Sequence, residues 1–176
     1  MNPQLKHLRQ QIDQFLAYHP QSPLTRNQQA DFEHLDYYEE NPDLVFTAEV
    51  ARFADSEPLV EMQTSTGDVR QDRRWGRFQF TVDGEEAALT IYSDPHGHDF
   101  FLPFKDATNG KETYGAGRYM DNQRPAIRPV SDTTVEIDFN FSYNPYCAYN
   151  TSYSCPLPPR ENWLKVPIQA GEKNFG

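Results

Sequence analysis

Cysteine is scarce in this chain: two residues in 176, Cys147 and Cys155. So few cannot make a disulfide-stapled scaffold. Positive charge is short as well, with 16 Lys and Arg against 26 Asp and Glu and a net charge of −10. A surface of that sign repels a nucleic-acid backbone or an anionic membrane, so neither is expected as a partner. The basic residues that do cluster, Arg70, Arg73, Arg74 and Arg77, are interleaved with Asp68 and Asp72 and read as a solvated strand edge. Long apolar runs are also missing. The opening "MNPQLKHLRQQIDQFLAYHP" is polar throughout, and no segment has the length and apolarity of a leader or a membrane span. The expectation is a soluble, cytoplasmic protein.

Aromatic residues are plentiful, 14% against 37% for all hydrophobic types, so Phe and Tyr must fill much of the interior. The chain length suits a single domain over 1–176, divided into a helical segment (1–40), an antiparallel β core (43–142) and a Pro- and Tyr-rich loop with a final extended piece (143–176). Leu5, Leu8, Ile12, Phe15 and Leu16 recur at helical spacing, which predicts an amphipathic helix that ends by His19, before Pro20. Thr25 and Gln28 have capping-box spacing and open a short helix with Phe32 and Leu35 facing inward.

After Pro42 the apolar period changes from helical to alternating. Strands are expected around Leu44–Val50 and Val60–Met62, then in a hairpin whose turn is Asp83-Gly84, with Phe78, Phe80 and Val82 facing Ala87, Leu89 and Ile91. Further strands are expected at "DFFLPF", "TYGAGRYM" and "TTVEIDFNF", the last running through Phe141, and a short extended piece at "WLKVPIQA". The fold class is therefore mainly β: an antiparallel β-barrel or sandwich of about seven or eight strands with one or two N-terminal helices packed on it.

The blocks "SPLT" and "DFEHLDYY", "RFQFTVDG", "FLPFKDATNGKETYGAGRYMD", "DFNFSYNPYCAYNTSYSCPLPPREN" and "AGEK" together resemble the uncharacterised family known as domain of unknown function 1684, which occurs in bacteria and archaea. The resemblance runs from about Ser22 to Lys173. It implies no established activity, substrate or cofactor.

Several residues qualify for chemistry. Cys147 and Cys155 are spaced too widely for the close ligand pairs of zinc sites, and His96 and His98 in "DPHGHD" read as polar loop residues, so no metal site is expected. Cys147 is a candidate nucleophile and Glu161 a candidate catalytic carboxylate, each needing a histidine brought in by folding. Arg118, following the glycines of "GAG", can pair with a ligand's carboxylate or phosphate, or the glycines mark a bulge and Arg118 pairs structurally with Asp138 or Glu161. Tyr119, Asn140, Asn144, Tyr146, Tyr149 and Asn162 supply the aromatic walls and placed polar groups of a pocket around it. The preferred expectation is a protein that binds a small polar or anionic molecule; a hydrolase using Cys147 or Glu161 and a protein-interaction module are the alternatives. No dinucleotide fingerprint, phosphate loop or Gly-x-Ser-x-Gly elbow occurs, and the sequence names neither a cofactor nor an oligomeric state.

Overall fold

A computed structural model describes all of residues 1–176. Helix α1 spans Pro3–Tyr18; the Asn2 side chain accepts from the Gln4 amide and Pro3 occupies the first turn, where its missing N–H costs nothing. His19 turns extended ahead of Pro20 and ends the helix. Helix α2, Arg26–Asp31, carries both halves of the capping box: the Thr25 hydroxyl accepts from the Gln28 amide, and the Gln28 side chain accepts from the Thr25 amide. It closes before Phe32, so Phe32 and Leu35 lie beyond the helix, and Leu35 packs with Leu16, Leu24 and Tyr149 in a small second core.

Eight strands follow: β1 (Val45–Arg52), β2 (Val60–Gln63), β3 (Val69–Val82), β4 (Glu85–Ser93), β5 (Phe100–Phe104), β6 (Arg118–Asp121), β7 (Ile127–Pro129) and β8 (Thr134–Asp138). They form one antiparallel sheet in the order β6-β5-β4-β3-β1-β8-β7, with β2 beside β3. The sheet curls into a nearly closed barrel. The β3–β4 hairpin sets Phe78 opposite Leu89 and Phe80 opposite Ala87. Its turn has positive φ at both Asp83 and Gly84, the backbone twist that a two-residue hairpin demands. Aromatic rings fill the interior: Phe139 meets Phe80 at 5.4 Å and Phe104 edge-on at 5.6 Å between centroids. Burying each such ring contributes about 1.5–3 kcal/mol.

Four features differ from the sequence expectation. The strand expected from Thr113 begins only at Arg118, because Tyr114–Gly117 folds as a turn closed by the Gly117 amide on the Tyr114 carbonyl at 3.1 Å. Gly117 has φ +102°, and a Cβ there would lie 2.5 Å from the Phe104 carbonyl. Strand β8 stops at Asp138 rather than Phe141, since the Asp138 carboxylate accepts from the Asn140 amide at 2.9 Å and starts a tight 3₁₀ turn. Strand β7 was not anticipated, and "WLKVPIQA" forms no strand, only an isolated bridge from Trp163 to Lys105. After the 3₁₀ turn the chain passes the free edge of β6, where Tyr119 and Tyr143 exchange backbone hydrogen bonds at 2.8 and 3.0 Å. That contact places the Tyr-rich loop over the barrel's open seam.

Candidate functional site

Arg118 is completely buried. Its guanidinium donates to the carbonyls of Ile168 (2.8 Å), Glu172 (3.1 Å) and Ala170, and Nη2 lies 3.6 Å from the Asp106 carboxylate. Asp106 in turn accepts from the Ile168 amide and the Thr108 hydroxyl. The cation expected to anchor a ligand is thus spent on the C-terminal strap, whose carbonyls have no sheet partner and must be satisfied from elsewhere. Burial lowers the Arg118 pKa, and the Asp106 charge opposes that shift.

Two further pocket residues have the same fate. Asn162 is buried and clasps β4 and β5, accepting from the Thr90 amide and donating to the Thr90 and Pro103 carbonyls at 2.8–2.9 Å. Asn140 holds both the amide and the carbonyl of Asn41, at 2.8 and 3.0 Å, and so fixes the entry to β1.

The remaining residues do converge. Asn144, Tyr146 and Tyr149 line a cleft of about 280 Å³ whose opposite wall is the Gln11–Leu16 face of α1, with Ile12 and Phe15 as its apolar surface. Tyr146 also borders a second cleft of about 340 Å³, formed with Tyr119, Tyr143, Tyr153 and Cys155. Arg124 stands at both clefts. Its guanidinium lies 3.7 Å over the Tyr143 ring and makes no ion pair or side-chain hydrogen bond. Only its backbone amide is engaged, donating to Asp121. The Asn144 Oδ1 atom is buried and likewise lacks a partner, while its Nδ2 donates to the Lys173 carbonyl at 3.0 Å.

Glu172 lies behind this wall, fully buried. Its carboxylate accepts from the Tyr149 hydroxyl and from the Asn144 amide at 3.0 Å. Burial pushes the Glu172 carboxyl up to about 7 against the pull of those hydrogen bonds and of the Arg124 and Arg118 charges. Burial and the Glu172 charge raise the Tyr149 phenol well above its ordinary value, so Tyr149 holds its proton and donates.

The catalytic candidates lie apart from one another. Glu161 accepts from Arg74 at 3.1 and 2.6 Å and from the Tyr92 hydroxyl. Burial raises its pKa, but those hydrogen bonds outweigh burial and hold the carboxyl below its usual range. Glu161 is therefore the anion of a structural cluster on the β3–β4 face. Cys147 accepts a long hydrogen bond from the Tyr114 hydroxyl at 3.6 Å, and its amide donates to Cys155 Sγ at 3.2 Å. No histidine is a hydrogen-bond partner of Cys147 or Glu161. His96 and His98 sit in the exposed turn after β4, where their amides bond to the Asp94 carboxylate. No helix is long and apolar enough to cross a membrane.

Sequence reasoning missed Arg124 and the contribution of α1. The stripe of α1 was visible, but its docking partner was not. Arg124, inside "NQRP", carried only a turn signal.

A nearly closed antiparallel barrel with an N-terminal helix and a tyrosine-rich seam defines the fold. The chain belongs to the family described as protein of unknown function DUF1684, whose model matches residues 30–173. It is similar over 97% of its length, at 34% identity and a TM-score of 0.72, to an uncharacterized protein of Haloarcula marismortui solved in solution by NMR, 92% of which is covered. No curated protein matches it.

Proposed function

We propose that the protein binds a small amphipathic anion in the cleft between α1 and the Tyr146–Tyr149 loop. The observation that carries this reading is Arg124, a cation without a carboxylate partner beside an apolar cleft, in a chain of net charge −10. Most of the chain's lysines and arginines make no ion pair, and what distinguishes Arg124 is that it borders two clefts with aromatic walls. The ligand's carboxylate or phosphate docks on the Arg124 fork, and its apolar part lies against Ile12, Phe15 and Tyr149. Asn144 Oδ1 provides an acceptor for a hydroxyl or amide of the ligand. The cleft volume of about 280 Å³ suits a molecule of metabolite size.

Calorimetric titration with a panel of short aryl and alkyl carboxylates and phosphates tests the reading. At least one class binds the wild type saturably. Arg124→Ala weakens that binding by about 10- to 100-fold, the worth of one charged hydrogen-bonding group, and Arg124→Lys falls between because it loses the planar fork. Binding that is unchanged in Arg124→Ala, or an entire panel without saturation at millimolar concentration, overturns it.

A further inference from the structure

The two cysteines lie on the same loop as the cleft wall, yet no part of the ligand reading uses them. The Cys147 amide donates to Cys155 Sγ at 3.2 Å, which brings the two ends of the loop together. Each residue is 6% exposed, and both are free thiols. No cluster of metal-ligating residues surrounds them, and the contact that a bridge would displace is the long one from Tyr114.

The two ends of this loop are held differently. The backbone of Cys155 is clamped to the β2–β3 turn: its amide donates to Ser65 Oγ at 3.0 Å, and its carbonyl accepts from the Ser65 amide at 2.9 Å. Cys147 sits in the 3₁₀ turn Tyr146–Ala148 that carries the cleft tyrosine Tyr146. Between them the chain from Tyr149 to Tyr153 combines short-range bonds, among them the Tyr149 and Asn150 amides on the Tyr146 carbonyl and the Ser152 amide and hydroxyl on the Asn150 side chain, with distant ones from Gln28 to the Tyr149 carbonyl and from Asn150 to the Pro23 carbonyl. Cys155 also forms part of the wall of the second cleft, which gives a small reagent a way in.

We propose that Cys147 and Cys155 are a reversible dithiol–disulfide site that fastens the tyrosine-rich loop to the β2–β3 turn. The oxidant is a low-molecular-weight disulfide of the glutathione class. The Cys155 thiol loses its proton and attacks one sulfur of that disulfide, forming a mixed disulfide and releasing one thiolate. Cys147, deprotonated in turn, attacks Cys155 Sγ and displaces the second small thiolate. The protein loses two protons and two electrons; the small disulfide gains both and becomes two thiols. Reduction by a dithiol runs the same steps backwards. Fastening the loop restricts the unfolded chain and so raises thermal stability.

The test equilibrates the full chain in mixtures of reduced and oxidised glutathione, quenches free thiols by alkylation, and measures intact mass and digested peptides. The expected result is loss of two hydrogen masses without a retained glutathione, a cross-linked peptide pair containing Cys147 and Cys155, and full reversal by dithiothreitol. The oxidised chain melts higher by roughly 5 °C. Cys147→Ser stops at the mixed disulfide on Cys155, since the resolving thiol is gone. Peptide mapping of the wild type decides the matter even if that variant does not fold. Two thiols that stay reduced or keep glutathione without bridging, a bridge between chains, or a melting temperature that does not rise would each overturn the proposal.

Discussion

Arg118 opens β6 and Arg124 lies in the turn that follows it, yet the fold treats the two arginines in opposite ways. Arg118 has no exposed surface, and its Nη donors end on three backbone carbonyls with a carboxylate alongside, leaving only Nε unpaired. Arg124 stacks on one ring and faces two clefts with its donors unspent. The residue type is identical. What separates the two is whether neighbouring backbone has already claimed the side chain's hydrogen bonds. The Ile168–Glu172 strap forms no strand, so its inward carbonyls need a donor-rich side chain inside the barrel, and Arg118 serves that need.

The largest expected effect lies on the Arg118 side of this contrast. Arg118→Met leaves the Asp106 charge buried without its partner and strands three carbonyls, so it lowers unfolding free energy by about 3–5 kcal/mol. Arg124→Ala, with nothing to strand, stays within about 0.5 kcal/mol of wild type. Urea denaturation of both variants checks this, and comparable losses would dissolve the distinction.

The next effect is pH-dependent and reaches both arginines. The Glu172 carboxyl is raised to about 7 when folded, from an ordinary 4.5, because burial disfavours its charge. Between those values the folded chain keeps a proton that the unfolded chain has lost. Its favourable contribution is therefore complete below pH 4.5 and is lost as pH rises through 7, a swing of about 3 kcal/mol. The difference between wild type and Glu172→Gln, followed by denaturation at a series of pH values, should show that slope; parallel curves would place the Glu172 titration elsewhere. Removing Arg124, whose charge favours the carboxylate, moves the slope to higher pH.

A smaller loss is expected at Asn162. Asn162→Ala removes the clasp on Thr90 and Pro103 and leaves buried backbone groups unpaired, at a cost of about 1–3 kcal/mol by chemical denaturation. Ligand affinity at the α1 cleft is unaffected, because Asn162 holds strands β4 and β5 and does not border that cleft. An affinity loss at constant stability would instead make Asn162 a binding residue.

Where interactions are local, the sequence was a good guide. The capping box at Thr25, the end of α1 before Pro20 and the Asp83-Gly84 hairpin depend on neighbours within a few residues, and all three are present in the fold. The end of β8 was also local in principle, since Asp138 caps Asn140, but the alternation of Phe139 and Phe141 concealed it. Tyr146, Tyr149 and Asn144, which the sequence groups in one loop, line the same cleft. Arg118, Asn140 and Asn162 were picked out for the right chemistry, hydrogen bonding, but their partners belong to backbone far along the chain.

Alternating and helical patterning alone determined a mainly antiparallel β protein with an amphipathic N-terminal helix, and the ordered motif blocks determined its family. Which polar side chains stay free to meet a ligand was decided only in three dimensions. A side chain's role depends on whether distant carbonyls and amides consume its hydrogen bonds. That in turn depends on where the C-terminal strap crosses the barrel, which patterning does not encode.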